Sequence, residues 1–161
     1  MRLYLVQHGT ALSKEADPDR PLSPEGAREV GEMVAFFARR HLSVNELWHS
    51  GKTRARQTAM ALAGALRAPN PRERDGLNPK DSIDPLAEAL RRRDADLMVV
   101  GHLPFLSRAA SLLLTGDADR EVVAFQNAGV VCLERNEADA RWRLLWALTP
   151  ELLAVDQGRM R

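Results

Sequence analysis

Leu97-Met98-Val99-Val100-Gly101-His102-Leu103-Pro104 is the stretch that decides the fold. Its first four residues are apolar without a break, whereas a strand with one wet face alternates. Such a run predicts a strand covered on both faces, as in a parallel sheet, and Gly101-His102 marks where it gives way to a loop. Pro104 then opens a helix over Phe105 to Leu114 that stops near Thr115-Gly116. A buried strand, a polar residue and a helix start form the repeating unit of sheets covered on both sides.

The unit recurs toward the N-terminus. Arg2 to Val6 reads as a strand ending at His8-Gly9. After the polar stretch Ser13 to Arg20, Ser23 fits an N-cap and Pro24 the first helical position. The helix they open carries Val30, Met33, Val34, Phe36 and Phe37 at helical spacing, with Arg39-Arg40 near its negative pole. Glu46 to Ser50 predicts a second strand, and about Lys52 to Leu66 a second helix with Ala59, Leu62, Ala63 and Leu66 inward. Pro69, Pro71 and Pro79 punctuate an irregular connection, after which Asp84-Pro85 caps and opens a short helix through Leu90. Gly129 to Glu134 and Arg141 to Leu148 alternate around Asn136-Glu137-Ala138-Asp139, predicting an antiparallel hairpin. The expected fold is a three-layer α/β domain, a mostly parallel mixed sheet flanked by helices with the C-terminal hairpin at its edge, and residues 1–161 are expected to form one domain.

Composition narrows the function. A chain of 161 residues, 45% hydrophobic, has the size and balance of one domain with a substantial core. The net charge of +1 predicts neither a nucleic-acid partner nor an anionic membrane surface, so any basic site must be local. Cys132 is the only cysteine, which excludes an internal disulfide framework and suits a reducing compartment. The first apolar run, Leu3 to Val6, is far shorter than a signal-peptide core or the ~18 residues of a membrane span, and the expected location is the cytoplasm.

Three strands end in polar groups: His8 after the first, Ser50 through Arg54 after the second, His102 after the third. In open α/β sheets ligands collect outside the carboxyl ends of parallel strands, so these groups are expected to share one crevice. Arg54 lies in a helical first turn between Lys52 and Arg56, where the macrodipole disfavours each cation by roughly 0.3–1 kcal/mol. A bound phosphate removes that conflict by accepting backbone N–H bonds and a bidentate guanidinium, while Gly9 lets the chain approach the same oxygens.

These segments resemble a known family. Gln7-His8-Gly9 resembles the Arg-His-Gly signature of histidine phosphatases, and Ser50-Gly51-Lys52-Thr53-Arg54-Ala55-Arg56-Gln57-Thr58 resembles their Ser-Pro-x-x-Arg-Ala-x-Gln-Thr segment. Gly101-His102-Leu103-Pro104 is similar to their second-histidine segment, and Arg20-Pro21-Leu22-Ser23-Pro24-Glu25-Gly26 to SixA-type members. Each motif alone is weak, and together, in order, they are specific. The resemblance implies a phosphoglycerate mutase-like fold and a metal-independent, cofactor-free phosphatase. In that chemistry His8 attacks phosphorus to form a covalent phosphohistidine, and Arg54 with a protonated or donating His102 stabilises the transferring phosphoryl group. No Walker loop, Gly-x-Gly-x-x-Gly run or metal-spaced histidine pair competes with this reading.

Two departures bear on activity. Gln7 stands where the family has arginine, leaving a neutral donor in the expected phosphate pocket, and Lys14, Arg20 or Lys52 is expected to compensate. A charged donor contributes about 1.5–3 kcal/mol against ~1 for a neutral one, enough to slow turnover by one or two powers of ten or to leave only a phosphate- or phosphoprotein-binding domain. The second departure is the general acid: Pro69 to Asp84 is short and offers Glu73, Asp75, Asp81 and Asp84, none in a recognisable acid motif. An imidazole leaving group needs less protonation than an alkoxide, so the expected substrate is phosphohistidine on a phosphotransfer protein in signal transduction. The alternative is a small phosphomonoester, with Asp75, Asp81 or Asp84 recruited as acid.

Other polar residues read as structural. Ser23 is a helix cap without a neighbouring base, and His41 and His49 end no crevice strand. Arg20 stands evenly between a phosphate contact and a salt bridge to Asp17 or Glu25. Trp48, Trp142 and Trp146 suit sheet packing, and Arg91-Arg92-Arg93 a solvated helix end.

Overall fold

The computed structural model describes residues 1–154, so the last part of the expected domain, 155–161, lies outside the described residues. In chain order the elements are β1 (Arg2–Gln7), α1 (Pro24–Ala38), β2 (Glu46–His49), α2 (Thr53–Ala65), β3 (Arg72–Glu73), α3 (Asp84–Arg91), β4 (Leu97–Gly101), α4 (Phe105–Thr115), β5 (Val130–Arg135), β6 (Trp142–Leu148) and a 3-10 turn (Pro150–Leu152). The sheet runs β3-β2-β4-β1-β5-β6. The first four of these neighbours pair in parallel, while β5 and β6 join antiparallel at the other side. This is the phosphoglycerate mutase-like α/β arrangement expected from the sequence.

β4 occupies the interior of the sheet because nothing in Leu97 to Val100 needs water, and all four side chains are fully buried. Alternate residues face opposite layers. Leu97 and Val99 join Leu3, Leu5, Phe105, Leu106, Leu86 and Leu90 beneath α3 and α4. Met98 and Val100 join Tyr4, Val6, Val30, Met33, Phe37 and Leu62 beneath α1 and α2.

α1 begins where its capping residues dictate: Ser23 Oγ accepts the Gly26 N–H at 3.0 Å and Pro24 supplies the first helical residue. Such a cap contributes about 1 kcal/mol. The helix ends before Arg39, so Arg39-Arg40 do not sit in its last turn. Arg40 instead stacks over Phe36, 4.4 Å from the ring centre, and His41 turns the chain at φ +51°. At α3 the cap is Ile83, and Asp84 occupies the first turn. The irregular connection hides one element, β3, too short for any sequence pattern, which pairs Glu73 with His49.

The alignment of β2, β4 and β1 fixes the site. Val6 and His49 both pair with Val100, and Gln7 pairs with Gly101, so the three strands finish at one level. His8, Ser50 and His102 follow immediately.

Candidate active site

His8 leaves the sheet with its backbone still in the ladder, its N–H donating to the Gly101 carbonyl at 3.1 Å. Its ring Nδ1 lies 2.6 Å from the Gly9 carbonyl, which only accepts, so Nδ1 carries the proton and Nε2 the lone pair. The Nε–H of Arg54 donates to that lone pair at 3.2 Å. Burial, followed by the positive charges of Arg54 and Arg20, holds the His8 pKa below its ordinary value against the opposing pull of the Gly9 bond and Glu29. At neutral pH this ring is unprotonated, with its Nε2 lone pair held toward Arg54.

His102 faces it across a ring-centre distance of 5.0 Å. The side chain is buried, and its Nε2 lies 2.6 Å from Ser50 Oγ at the end of β2. Burial is the largest cause that pushes its pKa down to about 3, followed by the charges of His8, Arg54, Lys52 and Arg20. Arg54 belongs to the first turn of α2, and burial and Arg20 lower its pKa in turn. No described ion pair engages Arg20, Lys52 or Arg54. Cations without described ion-pair partners, two of them at a helix N-terminus, leave a local positive field that suits an anion.

Arg20 stands free of its expected carboxylate partners. It forms no described salt bridge with Asp17 or Glu25, and its charge acts on His8, Arg54 and His102. It sits at φ +48°, a strained conformation for a side-chain-bearing residue, and its Nε donates to the Leu12 carbonyl at 3.1 Å. That anchor leaves the terminal nitrogens for a ligand. Lys52 acts on His102, whereas Lys14 is exposed and is not among the leading charges acting on either histidine.

Two residues take different roles from those expected. Gln7 commits one amide hydrogen away from any ligand: Nε2 donates to Asn127 Oδ1 at 2.6 Å, and Oε1 is buried with no partner among the described residues. Asn127 donates to Thr10 Oγ1 at 2.9 Å, and Thr10 donates to Glu29 at 2.8 Å, so the Glu29 carboxylate sets the direction of the whole chain. Gly9 has already donated its N–H to Thr58 Oγ1 at 3.1 Å. Its missing side chain serves packing, because a Cβ there meets Val30 at 2.8 Å and the Gly26 carbonyl at 3.0 Å.

Sequence reasoning missed Asn127, Thr10, Glu29 and Ser50's partner, since these pairs join distant positions and none has a motif of its own. Among the expected acids, Asp81 accepts the Asn78 N–H and Asp84 pairs with Ser82. Glu73 is the carboxylate that reaches the crevice rim: a Cβ on Gly51 falls 2.3 Å from its Oε1, and Gly51 itself takes φ +84°. Among the described residues no cluster of three or more His, Cys, Asp or Glu side chains is disposed for a metal, and no helix is long and apolar enough to cross a membrane.

Comparison with known proteins points the same way. A family model for the histidine phosphatase superfamily (branch 1) matches residues 3–81. An uncharacterized protein of Picosynechococcus sp. is 31% identical over 145 residues, spanning 86% of this chain and 87% of that one. In fold the chain is similar to the protein histidine phosphatase SixA complexed with tungstate, with a TM-score of 0.82 at 21% identity over 96% of this chain and 100% of that one. It is also similar to a candidate phosphohistidine phosphatase SixA of Agrobacterium tumefaciens, with a TM-score of 0.70 at 26% identity over 92% and 97% of the two chains.

Proposed function

Because this chain belongs to the histidine phosphatase superfamily and has phosphatase architecture of the SixA type, we propose that it is a protein phosphohistidine phosphatase working through a covalent phospho-His8. The observation that carries the reading is the orientation of His8, whose Nε2 lone pair meets Arg54 while Nδ1–H is held by Gly9.

When a phosphoryl group enters, Arg54 turns its guanidinium onto the phosphoryl oxygens and uncovers Nε2. Nε2 then bonds to phosphorus as the bond from phosphorus to the substrate imidazole breaks. The departing ring leaves as neutral imidazole when its other nitrogen carries a proton, so no carboxylic acid is needed. Arg54, Arg20 and Lys52 offset the charge on the equatorial oxygens. The phosphoenzyme keeps its Nδ1–H on Gly9, so His8 is itself a neutral leaving group when water attacks phosphorus and releases inorganic phosphate. The partner is a phosphohistidine-bearing phosphotransfer protein, in signal transduction, and the single buried cysteine, Cys132, suits a cytoplasmic setting.

A second reading, hydrolysis of small phosphomonoesters, is favoured by Glu73, whose carboxyl rests on Gly51 beside the crevice. An acid placed there serves an alkoxide leaving group.

The deciding experiment incubates the protein with a carrier labelled with radioactive phosphate on histidine. Label trapped on the wild type, absent from His8→Ala, together with phosphate release, is the expected result. Binding without trapping or release leaves a phosphate-binding domain.

A further inference from the structure

His102 has one ring nitrogen engaged and one idle. Nε2 meets Ser50 Oγ at 2.6 Å, while Nδ1 is buried and has no partner among the described residues, in a side chain that is 2% exposed. A buried polar nitrogen left unpaired is destabilising, and sites keep one where a ligand supplies its partner. The ring that carries the idle nitrogen stands 5.0 Å from the His8 ring, centre to centre, which brings it within reach of a phosphoryl group carried on His8.

Ser50 is placed for this by two independent constraints. β2 ends at His49, level with Val100 of β4, so the first residue beyond β2 stands beside the second residue beyond Val100. Gly51 at φ +84° then turns the chain into α2, leaving Ser50 9% exposed against the imidazole. A hydroxyl accepts as well as donates, so it holds Nε2 in either protonation state of the ring.

Resting on the phosphatase reading above, we propose that Ser50 is a positioning residue for His102: by holding Nε2 it leaves Nδ1 as the sole ring atom that can donate a hydrogen bond to the phosphoryl group on His8. Without Ser50 the ring is free to turn about its axis and present a lone pair to the anion. The loss then falls on the chemical step, because an oxygen that gains charge during transfer is where a misaligned donor matters most.

The test compares wild type, Ser50→Ala and Ser50→Thr. Ser50→Ala is expected to lower kcat by about tenfold to a hundredfold with KM changed less than threefold, the range for one transition-state donor. Ser50→Thr, which keeps the hydroxyl, is expected to recover most of the loss. Nitrogen NMR of His102 in the presence of tungstate gives a readout independent of turnover: Nδ1 is expected to carry a proton in the wild type and in Ser50→Thr, and to lose that preference in Ser50→Ala. Equal kcat in wild type and Ser50→Ala, or an unprotonated Nδ1 in the tungstate-bound wild type, overturns the proposal. Failure of the phosphatase reading shows separately, as no trapped label on wild-type His8, and leaves the NMR arm to decide the role of Ser50. Should Ser50→Ala fail to fold, Ser50→Cys, which keeps the volume but weakens the bond to Nε2, is read in its place, and kcat and Nδ1 protonation equal to the wild type overturn the proposal.

Discussion

Gln7 and Asn127, 120 positions apart, meet through one hydrogen bond of 2.6 Å in which the Gln7 amide donates. The bond commits one of the two amide hydrogens of Gln7 to Asn127, and the chain beyond it, through Thr10 to Glu29, prevents the amides from reversing. Residue 7 therefore brings no charge to an anion, and the positive charge rests on Arg54, Arg20 and Lys52. Gln7→Arg restores a charged donor and is expected to raise kcat/KM about tenfold, by the difference between charged and neutral hydrogen bonds. Steady-state kinetics on a phosphohistidine protein checks this, and an unchanged or lower value shows that the missing charge is already made good.

Glu73 separates the two substrate classes. Its carboxyl lies on Gly51 rather than on either histidine's hydrogen-bonding atoms. With phosphohistidine as substrate, Glu73→Gln is expected to lower kcat no more than about threefold, since the imidazole leaves without an acid. A phosphomonoester is expected to lose at least about tenfold, the lower end of general-acid contributions being near a hundredfold for a well-placed acid. Profiling both substrates on one preparation gives the answer.

Acid should unfold this protein through its histidines before most carboxylates titrate. Burial is the first cause of the lowered pKa at His8, His49 and His102, reaching about 3 at His102. A group whose folded pKa is depressed leaves stability intact above the unfolded value near 6.5 and removes it as pH falls toward the folded value. Each such histidine removes up to about 1.4 kcal/mol per pH unit in that window. Urea midpoints are expected to fall between pH 7 and pH 5 (about two units), and His102→Gln is expected to flatten that slope.

Two glycines of α1 make opposite predictions. A Cβ on Gly26 falls 1.9 Å from the Thr10 carbonyl oxygen, whereas a Cβ on Gly31 has nothing within 4 Å. Gly26→Ala is expected to cost about 3 kcal/mol or more, because backbone must move and the loop bearing His8 moves with it. Gly31→Ala, on the exposed side of the same helix, is expected to add roughly 0.5–1 kcal/mol through helix propensity. Chemical denaturation of both variants checks the pair.

The elements were legible because their signals are local. The unbroken Leu97 to Val100 run, the Ser23-Pro24 start and the alternating hairpin each depend on neighbours a few residues away. The end of α1 was read less well, since Arg39 is already its cap and Arg40 folds back on Phe36, and β3 was invisible because two paired residues carry no period.

By itself the sequence determined that three strands would finish in His8, Ser50 to Arg54 and His102, since strand ends follow from apolar patterning and breakers. Only the tertiary structure decided what those groups touch. The meeting of Arg54 with His8, the grip of Ser50 on His102 and the diversion of Gln7 to Asn127 all depend on atoms brought together from distant positions. Hydrogen bonds act over about 3 Å, and no pattern along a chain encodes which remote partner will lie within that distance.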